Sequence, residues 1–330
     1  MRGRGYGTAR CPQAIRRQPS ANIDRVSELS EERLAPVNGI EIAYQEIGDP
    51  DGEPLLLIMG LATQMLGWDE GFCAMLAERD FRVVRFDNRD IGHSTKIDSA
   101  GLPKRTDMLL GRRRTAPYLL RDMAEDTTGL MDHLGIESAH LVGASMGGMI
   151  AQTVAIRQPE RVRSLVSMMS TTGNRWLGMP AWKAFGTLFA RPGKGREAAI
   201  EHSVNVFRII GSPGYPMDEA RFRELAAASY DRSHSRAGIA RQLHAITASG
   251  DRTVALRKLR LPAAVLHGDS DPLIRPLAGR ATARAIRGSH LRIFEGMGHD
   301  LPRKLWTDFA TEISAVARRF APTNSSSLAT

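Results

Sequence analysis

A serine lies between small residues in the segment Gly143-Ala144-Ser145-Met146-Gly147, which matches the pattern G-x-S-x-G. The apolar strand pattern HLVGA leads into it, and a helical pattern follows at once. This context is typical of a nucleophile elbow, a tight strand-to-helix turn that strains the serine backbone and exposes its hydroxyl. A side chain at Gly143 or Gly147 would collide where strand and helix pass closely. We predict that Ser145 is a nucleophile rather than an incidental serine in a glycine-lined turn.

A serine hydroxyl is a poor nucleophile without a base, and the base needs an acid to orient it. Of the nine histidines, His299 lies in a glycine-flanked loop, EGMGHDLP, between the last predicted strand and the final helix. The alternative for His299 is a surface loop histidine. The segment LHGDSDPLI offers two acids after a buried strand, Asp269 and Asp271. We favour Asp271, which would hold His299 in its productive tautomer.

Strand patterns that alternate with helical patterns must position these residues. Helical patterns separate the apolar runs PLLLIMG, FRVVRFD, HLVGA, RVRSLVSMMS, LPAAVLHG and HLRIFEG, and an alternating strand, GIEIAYQEIG, comes first. Such alternation predicts an α/β fold with a mostly parallel central sheet flanked by helices. The pattern breaks from about Thr172 to Leu259, where the chain reads as helical. We therefore predict a helical cap inserted after the sixth strand.

The chain of 330 residues thus divides into four predicted parts. Residues 1–32 form a disordered basic extension, residues 33–171 and 260–320 the α/β core, residues 172–259 the cap, and residues 321–330 a flexible tail.

From about Gly39 to Phe320 the sequence resembles the α/β-hydrolases of the esterase and cofactor-free haloperoxidase-like group. The segments PLLLIMGLATQMLGWDEGF, RVVRFDNRDIGHS, HLVGASMGG, LHGDSDPLI and GMGHDLP occur in the order of that family. The sequence is especially similar to the aclacinomycin methylesterase type, which has Met-Gly where most members have His-Gly after the third strand. Met59 is that methionine here.

The resemblance implies roles for three further positions. In the family the acid is the second aspartate of its loop, which corresponds to Asp271. The oxyanion hole uses the backbone N–H groups of the residue after the nucleophile, here Met146, and of the residue after the strand-end glycine, here Leu61. The charged loop FDNRDIGHS is better explained by turn formation and fixed charge pairs than by catalysis.

A serine at the elbow favours acyl transfer to water, because dehalogenases and epoxide hydrolases of this fold use aspartate there. We predict a serine esterase for small or medium apolar carboxylic esters, with the methyl ester of a bulky polyketide or aromatic compound as the narrower version. Residues expected to contact the substrate are Met65, Trp176, Met179 and Trp182, although packing of the cap onto the core is an alternative for most of them. Carbon–carbon bond hydrolysis, lactone hydrolysis and a non-catalytic ligand-binding role are the alternative functions.

Composition and charge indicate which kinds of partner to expect. With 42% hydrophobic and 25% charged residues, the chain has the composition of an ordinary globular protein. The net charge of +9 is concentrated in the N-terminal arginines and in GRRR at 111–114, which favours a solvated surface over nucleic-acid binding. Neither a metal-ligand spacing nor a phosphate-binding glycine loop occurs, so no cofactor is expected.

The expected location is a reducing cytoplasm. The two cysteines cannot form a disulfide framework, and the N-terminus has no apolar run of a secretory signal. No apolar stretch is long enough to span a bilayer, so a membrane partner is not expected. A small-molecule ester remains as the expected partner.

Overall fold

The computed structural model describes residues 28–177, 181, 184, 186 and 193–320. Within them the strands are β1 (Arg33–Val37), β2 (Ile40–Ile47), β3 (Glu53–Ile58), β4 (Phe81–Phe86), β5 (Ala139–Ala144), β6 (Val162–Met168), β7 (Ala263–Gly268) and β8 (His290–Phe294). They form one sheet in the order β1-β2-β4-β3-β5-β6-β7-β8. The pairs β1–β2 and β2–β4 are antiparallel, and every other pair is parallel.

Helices of the described residues flank this sheet. They are α1 (Glu70–Ala77), α2 (Arg105–Leu110), α3 (Leu120–His133), α4 (Met146–Arg157), α5 (Arg196–Ile210), α6 (Glu219–Arg232), α7 (Arg236–Ser249), α8 (Thr253–Leu256), α9 (Pro276–Ala285) and α10 (Trp306–Ala317). None of them is long and apolar enough to cross a membrane. The prediction of an α/β sheet with helices between parallel strands is confirmed, and so is a helical cap, α5 to α8, after the sixth strand.

Alternating strand residues build a separate apolar core on each face of the sheet. In β3, Leu56 and Ile58 belong to the core that α3, α4 and α9 cover. Leu55 and Leu57 face the opposite core, which α1 and α10 cover. Because β3 is buried on both faces, its sequence is a continuous apolar run rather than an alternating one.

The edge at which the parallel strands end collects the predicted chemical residues. Leu61 follows β3, Ser145 follows β5, Asp271 follows β7 and His299 follows β8. Parallel strands end at the same edge of a sheet, and this edge is where open α/β sheets bind ligands. Residues that are far apart in the sequence therefore meet there.

The N-terminal part of the described chain differs from the prediction. An extra strand, β1, pairs with β2 through a two-residue turn in which Asn38 and Gly39 have φ of 50° and 76°. The Asn-Gly dipeptide is a hairpin signal because both positions of this turn need positive φ. The extension predicted to be disordered includes residues 28–32, where the Ser30 N–H donates to the Glu46 carbonyl at 2.8 Å. Residues 1–27 and 321–330 lie outside the described residues.

Buried ion pairs join the cap to the loop that follows β4. Arg241 of α7 and Asp90 are both fully buried and 2.7 Å apart, and Arg232 of α6 lies 2.6 Å from Asp87. Burial acts to raise the pKa of Asp90, but hydrogen bonds from Arg241 and from the Tyr118 hydroxyl hold it below its ordinary value. The interpretation of FDNRDIGHS as a loop fixed by charge pairs is confirmed.

Candidate active site

Ser145 occupies the strained turn that the sequence predicts. Its φ of 55° and ψ of −118° lie in a region that residues with a side chain rarely adopt. A Cβ at Gly147 would lie 1.9 Å from the Ile58 carbonyl oxygen, and one at Gly143 would lie 2.2 Å from the Gly147 carbonyl oxygen. The two glycines are needed because β3, β5 and α4 approach closely enough to hold the turn in this conformation.

His299 connects the serine to a carboxylate. Its Nε2 lies 3.0 Å from Ser145 Oγ, and its Nδ1 lies 2.7 Å from Asp271 Oδ2. Because an ionised carboxylate only accepts hydrogen bonds, Nδ1 carries the ring proton and its N–H donates a hydrogen bond to Asp271. Nε2 is then free to accept the hydrogen bond of the serine hydroxyl, which is the arrangement a general base requires.

The structure distinguishes the two candidate acids. Asp271 is buried, and its Oδ1 accepts hydrogen bonds from the backbone N–H groups of Leu273 and Ile274 at 2.8 and 2.9 Å. Asp269 is exposed and instead accepts the Gly296 N–H at 2.8 Å. Asp271 is therefore the acid next to His299, while Asp269 secures the loop that follows β8.

A second histidine lies beside the same carboxylate. His267 is fully buried at the end of β7, and its Nε2 lies 2.7 Å from the Ile274 carbonyl oxygen and 3.6 Å from Asp271 Oδ2. Burial lowers the pKa of His267, so the ring is held neutral. This agrees with the prediction that His267 packs at the end of its strand, where it also supports the turn that contains the acid.

The backbone around Ser145 offers two hydrogen-bond donors. Among the described residues, the N–H groups of Met146 and Leu61 have no acceptor. Gly60 brings the loop after β3 close, because a Cβ on it would lie 3.0 Å from the Ser145 Cβ. Met146 is also the first residue of α4, so its N–H shares the positive end of the helix dipole. The geometry suits binding of an oxyanion beside Ser145.

Side chains that the sequence analysis did not single out hold this loop in place. Ala62 has a φ of 63°, and its N–H donates to Gln242 Oε1 of α7 at 3.1 Å. The Asn88 amide donates to the Met59 carbonyl at 2.9 Å. Gln242 is 180 residues from its partner, so no local sequence signal could have revealed the contact.

A cavity of about 2240 Å³ opens onto Ser145 and His299. Its described lining includes Leu61, Met149 and the cap residue Phe207, together with Trp176, which is 81% exposed. Met65, predicted to contact the substrate, does not line it: the side chain is fully buried in the turn before α1. The predicted contacts Met179 and Trp182 lie outside the described residues.

Among the described residues, this site gains neither a reactive cysteine nor a cluster of metal ligands. Cys73 is buried in α1, and burial raises the pKa of its thiol to about 12, as expected of a small buried hydrophobe. In the part of the chain that the structure describes, no three His, Cys, Asp or Glu side chains are grouped so as to hold a metal ion.

The fold and this site define the class of the protein. Over residues 53–302 the sequence matches the family described as alpha/beta hydrolase fold. The chain belongs to that family. Rhodomycin D methylesterase of Streptomyces peucetius is 27% identical over 310 residues, which cover 87% of this chain and 98% of that protein. The 3-oxoadipate enol-lactonase 2 of Acinetobacter baylyi is 26% identical, over 85% of this chain and 94% of that protein.

Solved structures agree with this fold. The enol-lactonase of Burkholderia xenovorans superposes with a TM-score of 0.66 at 24% identity, over 87% of this chain and 100% of that one. The esterase RhEst1 of a Rhodococcus species superposes with a TM-score of 0.67 at 21% identity, over 88% of this chain and 100% of that one.

Proposed function

We propose that the protein hydrolyses carboxylic esters of apolar molecules through an acyl-enzyme intermediate on Ser145. The observation that carries the proposal is the hydrogen-bonded series from Ser145 Oγ through the His299 ring to Asp271, with contacts of 3.0 and 2.7 Å. A strained serine above a helix N-terminus, next to a histidine oriented by a buried carboxylate, suits acyl transfer.

In the first half of the reaction, Ser145 Oγ attacks the ester carbonyl carbon while its proton passes to His299 Nε2. Negative charge develops on the carbonyl oxygen, and the N–H groups of Met146 and Leu61 stabilise it. The tetrahedral intermediate then collapses, and the departing alkoxide oxygen takes the proton from His299. The alcohol leaves, and the acyl group stays bound to Ser145.

In the second half, a water molecule gives its proton to His299 Nε2 and attacks the acyl carbonyl carbon. The same two N–H groups stabilise the second oxyanion. Its collapse breaks the bond to Ser145 Oγ, which recovers its proton from His299. Asp271 remains ionised throughout and stabilises the imidazolium that forms twice in each turnover.

The cavity has room for a bulky ester. Its volume of about 2240 Å³ exceeds that of a typical small-molecule pocket, about 300–1,000 Å³. Apolar side chains such as Met149 and Phe207 contribute to its wall. A methyl ester on a bulky polyketide or aromatic molecule is therefore the narrower form of the proposal, supported by the similarity to a rhodomycin D methylesterase over 87% of the chain.

The first test compares hydrolysis of p-nitrophenyl esters, from acetate to laurate, by the wild-type protein and by Ser145→Ala. We expect turnover by the wild type and a loss of at least a thousandfold in the variant, because the nucleophile is gone. Ser314→Ala is the matched control, since that buried hydroxyl donates only to the Ala310 carbonyl within α10. It should keep wild-type activity.

The outcomes separate the functions. A chain-length optimum in the active series would define the depth of the acyl pocket. If folded wild-type protein hydrolyses none of these esters and no aromatic methyl ester, while a fluorophosphonate still labels Ser145, ester hydrolysis is refuted and a carbon–carbon or lactone substrate takes its place. Absence of both turnover and labelling would indicate a ligand-binding protein.

A further inference from the structure

The loop that carries His299 is bound to the cap as well as to the core. This histidine loop, residues 296–300, faces the loop after α5, residues 210–215, which we term the cap loop. The backbone N–H of His299 donates to the Ile210 carbonyl at 2.7 Å, and the N–H of Gly214 donates to the Gly296 carbonyl at 2.9 Å. His299 thus sits on backbone that hydrogen-bonds to the cap as well as to the core.

One side chain joins both neighbours of His299 to the cap loop. The Ser212 hydroxyl accepts the Gly298 N–H at 2.8 Å and donates to Asp300 Oδ1. Ser212 is 7% exposed, so water does not readily replace these contacts. A single hydroxyl therefore fixes the residue before the histidine and the residue after it.

The histidine loop and the cap loop pack closely, backbone against backbone. A Cβ on Gly298 would lie 2.3 Å from the Gly211 carbonyl oxygen, and one on Gly214 would lie 2.9 Å from the Cα of Gly296. The glycines of EGMGHD, residues 295–300, and of GSPG, residues 211–214, therefore allow the two loops to approach each other closely.

We propose that Ser212 is a positioning residue for the general base: from the cap, it aligns the histidine loop so that His299 Nε2 faces Ser145 Oγ. The inference rests on the proposed function, because it concerns the same base. It also means that the cap is part of the catalytic machinery as well as the wall of the substrate cavity, since α5 supplies Phe207 to that wall and ends at the cap loop.

The position of the base matters because proton transfer requires contact at hydrogen-bond distance. Displacement of a reacting group by about 1 Å can cost about a hundredfold in rate. Asp271 alone fixes only Nδ1 of the ring, and the ring can still swing about that contact if its backbone shifts. Ser212 restricts this freedom by binding the Gly298 N–H on one side of His299 and the Asp300 carboxylate on the other.

The test measures kcat and KM for Ser212→Ala on the best p-nitrophenyl ester. We expect kcat to fall about tenfold and KM to change less than twofold, because Ser212 acts on the base and not on the bound substrate. The rate at which a fluorophosphonate labels Ser145 should fall by a similar factor, since that reaction also needs the base. Ser212→Thr, which keeps the hydroxyl, should recover most of the lost rate.

Ser314→Ala serves as the matched control for removal of a buried hydroxyl, and its kcat and labelling rate should equal those of the wild type. Thermal unfolding of every variant shows whether the fold persists. If Ser212→Ala does not fold, Asp300→Ala takes its place, because it removes the acceptor of the Ser212 hydroxyl at a less buried position. A loss of about threefold in kcat is then expected.

Folded Ser212→Ala with kcat and labelling rate within twofold of the wild type would overturn the proposal, as would a raised KM at unchanged kcat. If Asp300→Ala is the variant tested, an unchanged kcat and labelling rate would overturn it. The proposed function fails in a different way, through absent turnover by the wild type. In that case the labelling rate of Ser145 still tests the role of Ser212.

Discussion

Two aspartates separated by one residue have different roles, and this difference is set by single-residue geometry. Asp271 is buried against His299, whereas Asp269 is exposed and accepts the Gly296 N–H. Their sequence context is almost the same, since both follow β7 directly. The sequence offered both acids, Asp271 was favoured, and the family resemblance supported that choice. In the structure, burial and hydrogen-bond partners distinguish the two side chains.

Matched substitutions of the two aspartates test which of them is the acid. Asp271→Asn should lower kcat about a thousandfold or more, because an amide cannot stabilise the imidazolium and can favour the wrong tautomer. Asp269→Asn changes the same functional group two residues away and should lower kcat less than threefold. Steady-state kinetics on one ester decide the question. Equal losses in the two variants, or a larger loss for Asp269→Asn, would contradict the assignment of the acid.

At the scale of elements, the loop after β3 depends on a helix of the cap. Gln242 of α7 is fully buried, accepts the Ala62 N–H and donates through Nε2 to the Arg89 carbonyl at 2.8 Å. These bonds hold Ala62 at positive φ directly after Leu61, whose N–H is a proposed oxyanion donor. An oxyanion donor must be oriented before the reaction, so this support should affect the rate.

We expect Gln242→Met to lower kcat about tenfold with little change in KM. Without the Gln242 amide, Ala62 is no longer held, and the Leu61 N–H can turn away from the oxyanion. Gln152→Met is the matched control. Gln152 is also fully buried and bonded, donating to Ser167 Oγ at 3.0 Å, but it lies in α4 and does not contact this loop. Both variants should lose stability in thermal unfolding. A similar fall in kcat for both would show that destabilisation, and not loop orientation, lowers the rate.

Elements with a strong local pattern could be predicted from the sequence. The run PLLLIMG predicted β3 because a strand buried on both faces is continuously apolar, and the Phe and Val residues of FRVVRFD predicted β4. Strand β1 has no such run, since three of its five residues are exposed, and its signal was the Asn-Gly turn that follows it. Contacts of the cap, such as Ser212 with Gly298, join side chains to distant backbone and leave no pattern in the sequence.

At the scale of the whole molecule, the pKa values of several histidines are lowered, so stability should depend on pH. Burial lowers the pKa of His140 from 6.5 to about 4, with a further contribution from the nearby Arg163 charge. His202, His234 and His267 also have lowered pKa values, chiefly through burial. Each of these groups binds protons more weakly in the folded than in the unfolded state.

The sign of the effect follows from this difference in proton binding. Between pH 6.5 and about 4 the unfolded chain takes up a proton at His140 that the folded chain does not. The free energy of unfolding therefore rises with pH in this window, and stability is lost as pH falls from 6.5 towards 4. For His140 alone the loss approaches about 3 kcal/mol, at about 1.36 kcal/mol for each unit of pKa shift.

Urea unfolding at pH 7 and pH 5 measures this contribution. For His140→Gln, the loss of stability between the two pH values should be about 2 kcal/mol smaller than for the wild type, because the titrating group is absent. Ser164→Ala is the control: it removes the hydroxyl 2.8 Å from His140 Nδ1 but leaves the imidazole. Its stability should fall at both pH values with the wild-type difference between them retained. A His140→Gln protein with the wild-type pH dependence would contradict this prediction, because the imidazole would then not carry the effect.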